Sequence, residues 1–79
     1  MTEATQKKIE EAAWRGSKMP DGLDPLEQIY FHGMSFIFHN YRIKEVNADT
    51  VKLYRQSLLI ECEQLRQEAM GCAKKGGNA

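Results

Sequence analysis

The chain has 79 residues, and its 11 Lys or Arg residues balance its 11 Asp or Glu residues, so the formal net charge at pH 7 is zero. This balance argues against the strongly basic surface of a nucleic-acid-binding domain and against the acidic surface of a DNA mimic. With 42% hydrophobic residues, the composition is that of one globular domain and leaves no room for a second folded unit.

The first predicted element is a helix over residues 3–15. Thr2 or Thr5 can cap its beginning, and Gly16 provides the residue that typically ends a helix. The apolar face of this helix is narrow because it consists mainly of small residues, and Trp14 falls beside charged positions on the helical wheel. The helix is therefore expected to cover only a limited area of any neighbour.

A second helix is predicted over residues 25–42. Asp24 is its N-cap, Pro25 occupies the first helical position, and Glu27 is placed to complete a capping box. Apolar residues occupy more than half of the circumference, so we expect this helix to be covered on two sides. Gly33 costs about 1 kcal/mol relative to Ala, a cost that is tolerable where another helix crosses closely.

A third helix is predicted from residue 48 to about residue 70. Asn47 is its N-cap, and Val46 and Val51 are spaced to form a hydrophobic staple around that cap. Its main apolar stripe recurs at three-to-four spacing and is expected to face the second helix. The residues after position 70, the segment 71–79, predict a polar tail that frays.

The short turn between the second and third helices predicts an all-α fold. Its centre is an antiparallel helical hairpin, with the shorter N-terminal helix packed across it and no strand. A core of this size supplies about 3–5 kcal/mol of net stability, so association with another surface would help to stabilise it. The residues expected to form the inner seam of the hairpin are Leu26, Ile29, Ile37, Leu58 and Leu65.

Two pairs of apolar residues lie outside that expected seam. Phe31 and Phe38 are seven residues apart on the flank of the second helix, and Leu53 and Ile60 are seven apart on the back of the third. The narrow first helix can shield one pair and hardly both, so the chain is not expected to act as a lone monomer. Together with Trp14, these four residues form the predicted interaction surface.

The cysteines and the apolar pattern bear on the compartment. Cys62 and Cys72 lie ten residues apart on one predicted helix, about 15 Å, beyond the ~7 Å limit between the Cα atoms of a disulfide. Cys62 is expected to be a buried apolar residue and Cys72 a loosely held thiol. No apolar run is long enough to span a membrane, and the first residues lack the order of a signal peptide. These features predict a cytoplasmic protein.

No residue pattern predicts a catalytic, cofactor or metal site. His32 and His39 are seven residues apart, about 10 Å along one helix face, whereas helical metal-binding pairs use a spacing of four. Ser35 lies between them, yet nothing in the sequence indicates a pocket or an oxyanion donor around it. The chain is therefore predicted to be a non-enzyme.

A family resemblance rests on three consecutive segments of the chain. They are the capped segment 22–28, the apolar run up to Arg42 and the charged helix through Lys52 and Arg55. Over residues 20–65 the chain resembles small, uncharacterised helical-hairpin proteins encoded on phages and other mobile elements of Gram-positive gut bacteria. The resemblance implies an antiparallel helix pair and a mobile-element setting. It carries no catalytic residues over to this chain, and the first helix departs from its pattern.

The leading functional prediction is a non-enzymatic protein interaction module that presents an apolar helical face to a second copy or to a host protein. The alternative is a nucleic-acid-associated regulator, acting as a dimer through a shared basic patch. An inhibitor of a host defence nuclease follows only from the mobile-element setting. The residues expected to form the basic patch are Lys7, Lys8, Arg15, Lys18, Arg42 and Lys44.

Overall fold

The computed structural model describes the backbone of residues 1–78 and the side chains of residues 1–69. It consists of three helices, α1 (Glu3–Arg15), α2 (Pro25–Arg42) and α3 (Ala48–Asn78), and the described residues contain no strand. The bounds of α1 and α2 are those predicted. α3 begins where predicted but continues through the segment expected to be a fraying tail. That segment contains glycines but no proline, and a glycine costs only about 1 kcal/mol in a helix.

Side-chain caps determine where α2 and α3 begin. The Asp24 carboxylate accepts the Glu27 N–H at 2.8 Å, and the Glu27 carboxylate accepts the Asp24 N–H at 2.9 Å, which completes the predicted capping box. The side-chain oxygen of Asn47 accepts the N–H of Thr50 at 2.8 Å. These bonds satisfy donors that have no partner within the first turn of a helix.

Local capping residues also define where α1 begins and ends. The Thr2 hydroxyl accepts the Thr5 N–H at 3.2 Å, which selects Thr2 from the two candidate caps. Gly16 adopts a left-handed conformation with φ of 69°, and its N–H donates to the Ala13 carbonyl oxygen at 3.3 Å. A residue with a Cβ would be strained in this conformation, so glycine suits the end of the helix.

α2 is the central helix, with α1 packed against one side and α3 against another. The prediction that α2 must be covered on two sides is therefore confirmed. Its side chains contribute half of the core, and three side chains, Tyr30, Ile9 and Met34, are fully buried. The complete buried core consists of Ile9, Ala13, Tyr30, Phe31, Met34, Ile37, Leu58 and Cys62.

The hairpin of α2 and α3 is antiparallel, because contacts that lie later on α2 lie earlier on α3. Four contacts show this register: Asp24 with Arg66 at 3.0 Å, the Leu26 carbonyl oxygen with Cys62 Sγ at 3.7 Å, Gly33 with Leu58, and the rings of Phe36 and Tyr54 at 6.2 Å. A Cβ built on Gly33 would lie 2.5 Å from Leu58 Cδ2, so α3 crosses α2 closely at this glycine, which is the condition under which its cost in a helix is tolerable.

The inner seam is only partly the predicted one. Ile37 and Leu58 are buried and Leu26 is half-buried, but Ile29 is 46% exposed and Leu65 is 37% exposed. The assignment of Ile29 and Leu65 to the seam is therefore wrong. Because α1 packs against the opposite flank of α2, the buried arc is displaced toward that flank and these two residues fall outside it.

Replacing Asp24 by Ala is expected to lower the free energy of unfolding by about 0.5–2 kcal/mol, because the α2 start loses the acceptor for the Glu27 N–H. Urea denaturation followed by circular dichroism measures this loss. Asp21→Ala is the matched control, since Asp21 is exposed in the preceding turn and should leave the midpoint within experimental error. Equal midpoints for the two variants would contradict the role of the cap.

The same carboxylate predicts a pH dependence. The hydrogen bond from the Glu27 N–H, together with Arg66, lowers the pKa of Asp24 below its ordinary value. Its stabilising contribution is therefore complete above the ordinary pKa and is lost as the pH falls through the lowered one. Asp24→Asn keeps a capping oxygen without the charge, so its stability deficit relative to wild type should shrink between pH 5 and pH 2. A constant deficit over that range, in denaturant titrations, would contradict this assignment.

Candidate interaction surface

The three helices are joined by one carboxylate. Glu10 Oε2 on α1 accepts hydrogen bonds from Gln6 Nε2 at 2.9 Å, from the Tyr30 hydroxyl on α2 at 2.7 Å and from Arg55 Nε on α3 at 3.2 Å. Burial raises the pKa of the Tyr30 hydroxyl. Hydrogen bonding to Tyr30 raises the pKa of the Arg55 guanidinium. Both donors hold their protons at neutral pH, so this cluster fixes the positions of the helices.

Replacing Glu10 by Ala should lower the free energy of unfolding by about 1–3 kcal/mol, because the buried Tyr30 hydroxyl loses its acceptor. Chemical denaturation at neutral pH measures the change. Glu11→Ala, at the exposed neighbouring position, should change stability by no more than about 0.5 kcal/mol. If both variants unfolded at the same denaturant concentration, the cluster would not hold the helices together.

The histidines and Cys62 lie in different surroundings. His32 and His39 are both exposed, and Cys62 is buried, with burial raising the pKa of its thiol. The side chain of Cys72 lies outside the described residues. Within residues 1–69, no group of three or more His, Cys, Asp or Glu side chains is placed to hold a metal ion. No helix in the described part of the chain has the length and hydropathy needed to cross a membrane.

α1 covers the Phe31 and Phe38 pair. Phe31 is a core residue, so its assignment to the exposed interaction surface is wrong. Phe38 is half-buried, and its ring meets that of Trp14 edge to face at 5.3 Å between centroids. Trp14 stays partly exposed, with the Arg42 guanidinium 4.6 Å from the centre of its ring. This end of α1 thus packs on α2 through aromatic and cation–π contacts.

The second pair is left uncovered. Leu53 is 65% exposed and Ile60 is 59% exposed on the back of α3. The prediction that α1 shields one of the two pairs agrees with this burial. Leu53 and Ile60 are separated by two helical turns and form a narrow strip, which we call the α3 ridge. One strip of two side chains on a single helix offers a partner little area.

A broader apolar surface lies on the open side of the hairpin, and it uses residues from both helices. Phe36 is 60% exposed and lies beside the half-buried Tyr54, and Ile29 and Leu65 are exposed nearer the other end of the hairpin. We call these four residues the hairpin face. Phe36 and Tyr54 are in ring contact across the two helices, and Ile29 lies two turns before Phe36 on the same side of α2.

The hairpin face and α1 occupy opposite flanks of the hairpin. At about 100° per residue, Ile29 and Phe36 lie more than 90° around α2 from Tyr30 and Phe38, which face α1. On α3, Arg55 reaches toward α1 while Tyr54 turns toward Phe36. The fold therefore covers one flank of the hairpin with a helix and leaves the other flank open.

Sequence reasoning missed this surface because it assigned Ile29 and Leu65 to the seam and gave Phe36 no separate role. The available signal was the width of the apolar arc on α2, which exceeds what α1 and α3 can cover together. Comparison of the chain with protein-family models, with curated proteins and with solved structures finds no match in any of the three.

Proposed function

We propose that the protein is a non-enzymatic protein interaction module that docks its hairpin face on an apolar surface of a partner protein. The observation that carries this proposal is the exposure of Phe36, Ile29 and Leu65 together on one side of the hairpin. Monomeric proteins seldom leave several large apolar side chains exposed together unless the surface has a partner. A host protein is one source of such a partner in a mobile-element setting.

The geometry of the hairpin face suits a helical partner. Two antiparallel helices form a shallow groove between them, and the close crossing at Gly33 brings their axes near each other. Phe36 and Ile29 are seven residues apart. Amphipathic helices that bind in grooves place their apolar anchor residues at the same spacing. A helix laid along this groove would contact side chains from α2 and α3 at once.

Burial of the face would contribute free energy to binding. Covering an apolar side chain is worth about 1.5–3 kcal/mol when it passes from full exposure to full burial. Phe36 is the most exposed of the four and Tyr54 is already half-buried, so Phe36 has the most to gain. The Glu10 cluster and the buried core hold the helices in place, so little ordering of the scaffold opposes binding.

Affinity purification of the tagged chain from the cells that make it tests this proposal. Wild type is compared with Phe36→Asp, which places a charge in the hairpin face, and with Leu53→Asp, which places the same charge on the α3 ridge. We expect Phe36→Asp to lose the protein partner recovered with wild type, including a second copy of the chain, and Leu53→Asp to retain it. Equal recovery with Phe36→Asp and wild type would refute docking through the hairpin face.

A further inference from the structure

We propose that the occupant of the hairpin face is the hairpin face of a second copy, related by a twofold axis that runs parallel to α2 and α3. This inference rests on the proposed function and specifies its partner. It predicts an antiparallel four-helix core built from two hairpins, with each α1 on the outside. The area of this side of the hairpin and the polar groups along its two edges support it.

The area of the face is sufficient for a weak dimer. α2 has 18 residues, which corresponds to about 27 Å, and two packed helices of about 10 Å diameter span roughly 20 Å. The side of the hairpin that carries the hairpin face therefore has a plan area of about 500 Å², near the ~600 Å² per partner of small specific interfaces. We expect a dissociation constant in the micromolar range, roughly 1–100 μM.

The two edges of the face differ in the polar groups that they present. His32 lies three residues after Ile29 and four before Phe36, so it borders the face on α2, and no carboxylate lies on that edge. Glu61 lies three residues after Leu58 and four before Leu65 and borders the face on α3. No cation lies on the α3 edge within the described residues. One edge thus offers an imidazole and the other a carboxylate.

This placement of an imidazole and a carboxylate on opposite edges selects one of the two twofold arrangements. An axis parallel to the helices lays α2 over the α3 of the other copy, so each imidazole edge meets a carboxylate edge. His32 is level with Leu58 in the hairpin register, which places it within one turn of Glu61 of the partner subunit. An axis perpendicular to the helices would instead place the two carboxylate edges together, which like charges disfavour.

The twofold arrangement also limits the assembly to two copies. Two identical faces in twofold contact bury each other and leave no further copy of the face available. Contact of the hairpin face with the α3 ridge of another copy would be head-to-tail and would continue as an open chain. A discrete dimer is therefore the expected species, with Leu53 and Ile60 outside the interface.

Sedimentation equilibrium of wild type and variants between about 1 μM and 1 mM tests this inference. We expect wild type to approach a discrete dimer, and Phe36→Asp to raise the dissociation constant by about a hundredfold or more, because an unpaired charge would be buried. Leu53→Asp is the matched control and should leave the constant within about twofold of wild type. Circular dichroism of each variant verifies that its helical content is unchanged.

Charge reversal tests the orientation of the two copies. His32→Glu alone should weaken the dimer by about three- to tenfold, because it creates two contacts between like charges. Glu61→Lys alone should also weaken it, because each imidazole loses the carboxylate opposite it. The double variant carrying both changes places a carboxylate opposite an ammonium group and should regain wild-type affinity. Failure of the double variant to recover, with its helical content intact, would overturn the parallel axis, because a perpendicular axis pairs each edge with itself.

The outcomes separate this inference from the proposed function. A wild type that stays monomeric at 1 mM, or a dimer that Leu53→Asp disrupts and Phe36→Asp does not, would overturn self-association through the hairpin face. The proposed function would still stand in the first case if affinity purification recovered a different protein in a Phe36-dependent manner. A wild type that stays monomeric, with no Phe36-dependent recovery, would refute both.

Discussion

Leu58→Ala is expected to lower the free energy of unfolding by about 2–5 kcal/mol. Leu58 is buried where α3 crosses α2, and its side chain packs directly over Gly33, which has no side chain to fill the space that Ala would leave. A loss of this size is comparable to the total stability of a domain this small. Much of the variant should therefore be unfolded at 25 °C.

Denaturant titration at a concentration below the expected dimerisation range measures this effect on the monomer. Leu53→Ala is the matched control, because it removes the same atoms from an exposed position of the same helix. We expect it to change stability by no more than about 0.5 kcal/mol. Similar midpoints for Leu58→Ala and Leu53→Ala would contradict the placement of the seam.

Gly33→Val is expected to destabilise the hairpin by about 1–3 kcal/mol or more, although valine has a slightly better helix propensity than glycine. A Cβ at this position would approach Leu58 Cδ2 to 2.5 Å. The two methyl groups of valine add to that overlap, so the Leu58 side chain must leave its position or α2 and α3 must move apart. Thermal unfolding of the variant against wild type measures the loss, and an unchanged melting temperature would contradict the close crossing.

A double variant tests whether Gly33 and Leu58 act on each other. Gly33→Ala adds a methyl group toward the space that Leu58→Ala empties, so the two changes together should cost less than their sum. We expect a coupling free energy of about 0.5–3 kcal/mol, as is typical of residues in direct contact. Additive losses in the four-variant cycle would show that the two side chains do not share this space.

The helix bounds could be predicted because their signals are local. The cap at Asp24, the glycine at position 16 and the cap at Asn47 each satisfy backbone groups within one turn, so they act almost independently of the rest of the fold. The central position of α2 also followed from sequence, since its apolar arc is too wide for one neighbour.

The division of apolar residues between core and surface could not be predicted as fully. It depends on the angle at which α1 approaches α2, and that angle is set by contacts such as Glu10 with Tyr30 and Trp14 with Phe38, which lie far apart in sequence. Ile29 and Phe31 lie about 160° apart around α2, beyond opposite sides of Tyr30, so the direction from which α1 approaches decides which of them is buried. The helical wheel alone contains no information on that direction.

Photo-crosslinking from the hairpin face tests the central claim most directly. Phe36→p-benzoyl-L-phenylalanine keeps an aromatic side chain in the hairpin face and, on irradiation, forms a covalent bond with the molecule that contacts it. The same residue introduced at Leu53 on the α3 ridge is the control. We predict a crosslinked product of twice the chain mass from position 36 and none from position 53. A product from position 53 alone, or no protein crosslinked at position 36 in purified samples or in cells, would contradict the account.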